Sequence, residues 1–306
     1  MSETEAVLSS YLVHLAVERG LAANTLASYR RDLLRYVGHL KSRGRVTFGE
    51  VAEADVAAFL TALSEGDAEH RALAAGSAAR AVSAVRGLHR FALREGVSGH
   101  DPADRVRPPR RLRPRPRAMD VGEVERLIAA AGPDGAPLTL RNRALLELLY
   151  GTGARISEAV GLTVDDVDLV RRAPQVRLCG KGGRTRAVPL GRPGRDAVEA
   201  YLAAARPGIA AHGRGDRSLF LNARGGGLTR QGAWEVLQAA AERAGLAGVS
   251  PHVLRHSFAA HLLDGGADAG TVQELLGRAP AAARVRALIA ADRLREVYAA
   301  AHPRAR

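Results

Sequence analysis

Three short segments in the second half of the chain gather side chains that suit a phosphate. They are Gly151-Thr152-Gly153-Ala154-Arg155-Ile156-Ser157-Glu158, Gly180-Lys181-Gly182 and Ser250-Pro251-His252-Val253-Leu254-Arg255-His256. In the last, a capping serine followed by proline at the first helical position predicts a helix start. His252 and Arg255, three apart, share a face at the end where N–H groups and the helix dipole favour an anion. Arg155 follows a glycine turn, and its fork of donors suits a phosphate whose charge grows during transfer. Glu158, three residues on, is placed to hold it. Lys181 has glycine on both sides, which permits a tight turn and a close approach. It is one of two lysines among 45 basic residues. Arginine grips a phosphate but gives up a proton poorly, so a lysine here suits a general acid. Taken singly, each segment also has an ordinary reading: a capping histidine, an arginine paired with a carboxylate, a solvated turn lysine. His252 and His256 imitate the spacing of a zinc-binding pair, but Val253 stands where the general-base glutamate would be. No metal is expected.

The elements that must position these residues are mostly helical. Leu8, Leu12 and Leu15 recur at helical spacing. Asn24 is placed to cap a helix over 25–40, with Leu26, Tyr29, Leu33, Leu34 and Val37 as its apolar stripe. Further helices are expected over 48–63 and 77–95. Between 107 and 117 stand four prolines and six arginines, which cannot build a packed element and read as a semi-extended basic linker. After it, a helix begins at Asp120 and another covers 141–150. Two strands over 175–179 and 185–190 are joined through Lys181, and helices follow over 196–205, 229–244, 251–264 and 271–276. The fold class is therefore mainly α. A helical domain spans 2–98, a linker 99–114, and an α-rich domain with a small antiparallel sheet 115–306.

Composition fits a polyanion partner. The chain of 306 residues carries a net charge of +13, which predicts attraction to nucleic acid that weakens with salt. Cys179 is the single cysteine, so no internal disulfide is possible; its apolar, strand-like surroundings predict a buried thiol. No CxxC pattern suggests zinc. No stretch approaches the ~18 apolar residues of a membrane span, and the acidic start lacks a signal core. A cytoplasmic protein without cofactors is expected.

Arg155, Lys181, His252 and Arg255, in this order over about a hundred residues, resemble the tyrosine site-specific recombinases, most closely their Xer branch. The flanks match too: Asn24-Thr25 to Tyr29 and Asp32, Ser77 to Arg86, Asp101-Pro102-Ala103, Val188-Pro189-Leu190, and the tail from Asp292 to Arg304. The resemblance implies a helical, SAM-like core-binding domain and a catalytic domain that close on a double-stranded recombination site. It implies DNA contacts from Arg30, Arg80, Arg86, Arg184, Thr229 and Arg230. It also implies a homo- or hetero-tetramer with a second Xer-type recombinase, in which the C-terminal tail docks on a neighbour, and a role in chromosome dimer resolution at cell division. In that family the two arginines and the histidine grip the scissile phosphate and the lysine protonates the leaving 5′-oxygen. A tyrosine forms a 3′-phosphotyrosyl link without metal or ATP.

The chain departs from this pattern at one place. Leu275-Leu276-Gly277 is followed by Arg278 where the family has histidine, and the nucleophile slot holds Arg286, in a segment one residue short. Arginine stays protonated and cannot attack phosphorus. Tyr298 lies about a dozen residues beyond the slot and matches an ordinary tail position. Natural loss of cleavage and a pair of compensating frameshifts in a GC-rich gene both account for the block at 278–286. The expected protein binds a recombination site and is cleavage-defective, or serves as an inactive DNA-binding and assembly subunit.

Overall fold

The computed structural model describes residues 2–67, 70–107, 117–133, 135–170, 174–213, 216–277 and 287–305, with the backbone alone for Lys181 and 287–293. Two compact units divide the chain at Pro114 and Arg115. Residues 108–114 of the expected linker, and both altered positions Arg278 and Arg286, lie outside the described residues.

The first unit is a helical domain built from α1 (Glu3–Val17), α2 (Ala23–Ser42), α3 (Glu53–Glu65) and α4 (Ala75–Arg94). α1 starts with a reciprocal cap: Glu5 N donates to Ser2 Oγ at 3.3 Å, and Ser2 N donates to Glu5 Oε2 at 2.8 Å. α2 begins earlier than the sequence suggests. Ala22 holds the capping position and Asn24 sits inside the first turn, so the Asn24 cap is corrected. The helix expected over 48–63 is broken into a 3-10 turn, Phe48–Glu50, and α3. Two carboxylates cause the break. Glu50 accepts from Val46 N and Thr47 N, and Asp55 accepts from Ala52 N at 3.0 Å, which starts a new helix. Leu33, Tyr36, Leu40, Phe48, Phe59, Val85 and Leu88 fill the core. Within it the Tyr36 hydroxyl meets His89 Nε2 at 2.7 Å. Arg80 grips Asp32 through Nε and NH2 at 2.8 and 3.1 Å, tying α4 to α2.

The second unit opens with α5 (Val121–Ala129), capped by Asp120, and α6 (Pro137–Thr152). The short α7 (Ile156–Val160) follows. Strands β1 (Val167–Asp168), β2 (Gln175–Cys179) and β3 (Thr185–Pro189) form an antiparallel sheet in that order, with Leu178 opposite Arg186 and Cys179 opposite Thr185. α8 (Arg192–Ala200) runs through a π turn into α9 (Arg206–Ala210). Then come α10 (Arg230–Arg243), α11 (Pro251–Asp264), α12 (Ala269–Leu275) and α13 (Ala287–Ala301). α6 is buried along most of its length and packs against α8, α11 and α5. Cys179 is exposed, which corrects the expectation of a buried thiol. The alternation of β2 sends Val176 and Leu178 inward, so residue 179 points out.

Within this single chain the tail packs on its own unit. Tyr298, Ala301 and His302 are buried. His302 stacks on Tyr298 with ring centroids 4.9 Å apart, and lies 5.0 Å from both Tyr150 and Phe258. Arg304 reaches Glu147 at 3.4 Å and Glu125 at 3.8 Å. Among the described residues no helix is long and apolar enough to cross a membrane.

Candidate active site

Glycine 153 fixes the geometry around Arg155. It ends α6 with φ +58, a conformation that favours glycine. A side chain there would strike Phe258 of α11 at 2.5 Å and Leu276 at 3.0 Å. The end of α6 therefore lies directly on α11 and on the end of α12. From this turn the chain enters α7, where Glu158 is buried.

Glu158 is the hub of the site. Its Oε1 accepts from Arg155 NH1 at 2.7 Å and Arg186 NH1 at 2.9 Å. Its Oε2 accepts from Arg155 N at 2.8 Å and Arg186 NH2 at 2.8 Å, with Arg255 NH1 4.0 Å away. Burial pushes this carboxyl up, but hydrogen bonds from Arg186 and from the Arg155 backbone, with the Arg186 charge, hold it at about 2. The carboxylate is thus ionised across the neutral range. Arg255 is buried on α11; its NH1 donates to Gly153 O at 2.5 Å and its NH2 to Leu276 O at 2.6 Å. Arg155 is partly exposed, and among the described residues its side chain donates only through NH1.

The remaining expected residues fall nearby or apart. Lys181 stands in the turn between β2 and β3, with Gly182 and Gly183 at φ +76 and +73; its side chain lies outside the described residues. The preceding Gly180 abuts the hub, since a Cβ there would lie 3.3 Å from Glu158 Oε1. His252 is exposed one turn before Arg255 on α11, whose first turn is capped by Ser250 Oγ accepting from Val253 N at 3.2 Å. The structure therefore gathers Arg155, Arg255 and the Lys181 turn about one carboxylate and places His252 on the same helix as Arg255.

Tyr298 is elsewhere in kind. Its ring is buried in the core and its hydroxyl donates to Gly151 O at 2.9 Å. Burial raises its pKa further above the usual phenol range. No group of three or more His, Cys, Asp or Glu side chains among the described residues is arranged to hold a metal ion.

Among the expected DNA contacts, Arg30, Arg184, Thr229 and Arg230 are exposed. Thr229 also caps α10, accepting from Gly232 N at 3.1 Å. Arg80 is engaged by Asp32, and Arg86 is half-buried with its Nε unpartnered among the described residues.

Arg186 escaped the sequence reading. It stands two residues before the core residue Val188 on β3, so strand alternation turns it inward. An inward charge demands a partner, and that requirement was the available signal.

The phage integrase family profile matches residues 117–282, and the N-terminal SAM-like domain of phage integrases matches residues 8–96. The chain is 58% identical over 306 residues to tyrosine recombinase XerD of Mycobacterium tuberculosis, covering 98% of each chain. It is 42% identical over 271 residues to tyrosine recombinase XerC of Roseiflexus castenholzii, covering 88% of this chain and 84% of that one. In fold it is similar to the XerH recombinase bound to difH substrate, with TM-score 0.66 and 22% identity over 93% of this chain and 84% of that one. The lambda integrase dimer on a COC′ core site gives TM-score 0.66 and 20% identity over 90% of this chain and 95% of that one. With its domain order, its helical fold and these relatives, the chain belongs to the phage integrase family of tyrosine recombinases.

Proposed function

We propose that this chain binds a double-stranded recombination site as a Xer-type subunit and holds the scissile phosphate without cutting it. The supporting observation is the buried carboxylate of Glu158, about which Arg155, Arg255 and the Lys181 turn assemble. In the family reaction the grip stabilises a phosphate attacked by tyrosine. The leaving 5′-oxygen takes a proton, and the bond energy stays in a 3′-phosphotyrosyl link. Arg155, His252 and Arg255 are assigned the grip and Lys181 the proton. Arg30, Arg80, Arg86, Arg184, Thr229 and Arg230 are assigned to DNA contacts.

What is missing is the attack. Arg286 fills the nucleophile slot and Arg278 the histidine slot. Without an activated hydroxyl the grip stabilises a transition state that nothing starts. The chain then acts as an inactive member of a tetramer on DNA in the cytoplasm, with active Xer-type protomers performing the strand exchange of chromosome dimer resolution. A substrate nicked beside the scissile phosphate tests this on a denaturing gel. No covalent adduct is expected from the chain as written. Placing tyrosine at 286 alone restores little, since a displacement of about 1 Å costs ~100-fold in rate. Inserting the missing residue together with the histidine and the tyrosine restores the adduct. An adduct from the unaltered chain, lost in Tyr298→Phe, would make Tyr298 the nucleophile and overturn the reading.

A further inference from the structure

We infer that Arg186 is a positioning residue of the phosphate grip: by satisfying Glu158 it leaves Arg155 available to a DNA phosphate. The inference rests on the phosphate-gripping role proposed for Arg155. A carboxylate offers about four lone-pair sites. At Glu158 these take Arg186 NH1, Arg186 NH2, Arg155 NH1 and Arg155 N. The Arg186 pair is a fork on both oxygens, the strongest geometry for such a contact, and it comes from a nearly buried guanidinium. Arg155 adds one side-chain bond and remains partly exposed. Arg186 is thus the partner that stays and Arg155 the one free to turn.

Without Arg186, the buried carboxylate would keep two acceptor sites unfilled. A buried charge left short of partners is costly, and Arg155 is the nearest cation able to supply them. It would close on Glu158 with both NH groups and withdraw from the phosphate. The uncompensated carboxylate would also repel that phosphate. Arg186 has a second tie, to the residues at the end of α12. Its Nε donates to Leu275 O at 2.8 Å, and its guanidinium lies against Gly277, where an added Cβ would come within 3.2 Å. Arg255 holds the next carbonyl, Leu276 O. Both arginines of this inner layer therefore fix the end of α12, from which the chain departs toward Arg278.

The experiment measures affinity against potassium chloride on a duplex that the full chain itself selects from a random-sequence pool. Each phosphate contact contributes about 0.9 to the slope of log K against log salt. Arg186→Gln is expected to bind about tenfold more weakly at low salt and to lose about 0.9 of slope, as does Arg155→Gln. Adding Glu158→Gln to Arg186→Gln removes the trap and recovers slope relative to Arg186→Gln alone. Arg186→Lys keeps the compensating charge and the parental slope. A parental slope in Arg186→Gln, or a loss that Glu158→Gln does not reverse, overturns the inference, because a tie to Leu275 alone gives that result. If Arg186→Gln fails to fold, a reduced slope in Arg186→Lys overturns it instead. A parental slope in Arg155→Gln overturns the phosphate grip itself; loss there with none in Arg186→Gln overturns only the role of Arg186.

Discussion

The Tyr298 hydroxyl is committed to Gly151 O, and its ring to His302. A nucleophile needs an exposed hydroxyl, and this one is buried and hydrogen-bonded to the backbone, so it ties α13 to α6. Tyr298→Phe should lower stability by about 1 kcal/mol, the worth of one buried hydrogen bond, and leave DNA affinity unchanged. Thermal melting and a gel shift check both, and weakened binding at equal folding would contradict it. The same scale shows what residue types alone revealed of the site. The turns before Arg155 and around Lys181 and the start of α11 were legible because glycines and a serine–proline pair announce them locally. Glu158 was legible as a partner of Arg155 by its spacing. Its dominant partner, Arg186, was not. That pair joins α7 to β3 across 28 positions of sequence, and no local pattern encodes which strand will face which helix.

The elements show a similar division. Helix spans were readable wherever capping and apolar spacing agreed, as at α11. The break between Phe48 and Glu53 was not, because it depends on side chains that reach back to the backbone rather than on apolar spacing. The docking of the tail was also illegible, since it depends on clearances. Gly265 lies against Ala301, and Gly191 against the Arg304 carbonyl; each approach leaves no room for a methyl group. Gly191→Ala should dislodge residues 302–305, and hydrogen exchange at their amides checks this: unchanged protection would mean the tail is held elsewhere. His302 adds a pH dependence. Burial first, and then the charges of His261 and Arg304, lower it to about 3. It is neutral when folded and takes a proton near ~6.5 when unfolded. Its contribution is therefore complete above ~6.5 and is lost as pH falls toward 3, at a rate on the order of 1 kcal/mol per pH unit. Glu147, whose pKa is raised by burial, acts in the opposite sense. The test is thus the difference between the parent and His302→Asn in melting curves from pH 7 to 5. Parallel curves would remove His302 as the source.

At the scale of the whole molecule, each unit has its own apolar core, one around Tyr36 and Phe59 and one around Tyr150 and Phe220. Neither core borrows residues from the other, so fragments 1–114 and 115–306 should each fold and melt cooperatively. Both units are basic, and the second carries most of the excess positive charge. On one duplex their phosphate contacts add, so the salt slope of the intact chain should equal the sum of the fragments' slopes. Affinity should behave differently. Once one unit is bound, the chain through Pro114 and Arg115 holds the other near the same duplex, and the second binding becomes intramolecular. Linkage of this kind raises affinity by ~100-fold to ~10,000-fold without new contacts. The intact chain should therefore bind far more tightly than either fragment, and an equimolar mixture of fragments should not recover the difference. Fluorescence anisotropy on a labelled duplex at several potassium chloride concentrations measures both quantities. If 115–306 alone matched the intact chain in affinity and slope, the helical first unit would have no part in holding DNA, and the assignment of Arg30, Arg80 and Arg86 to DNA contacts would be withdrawn.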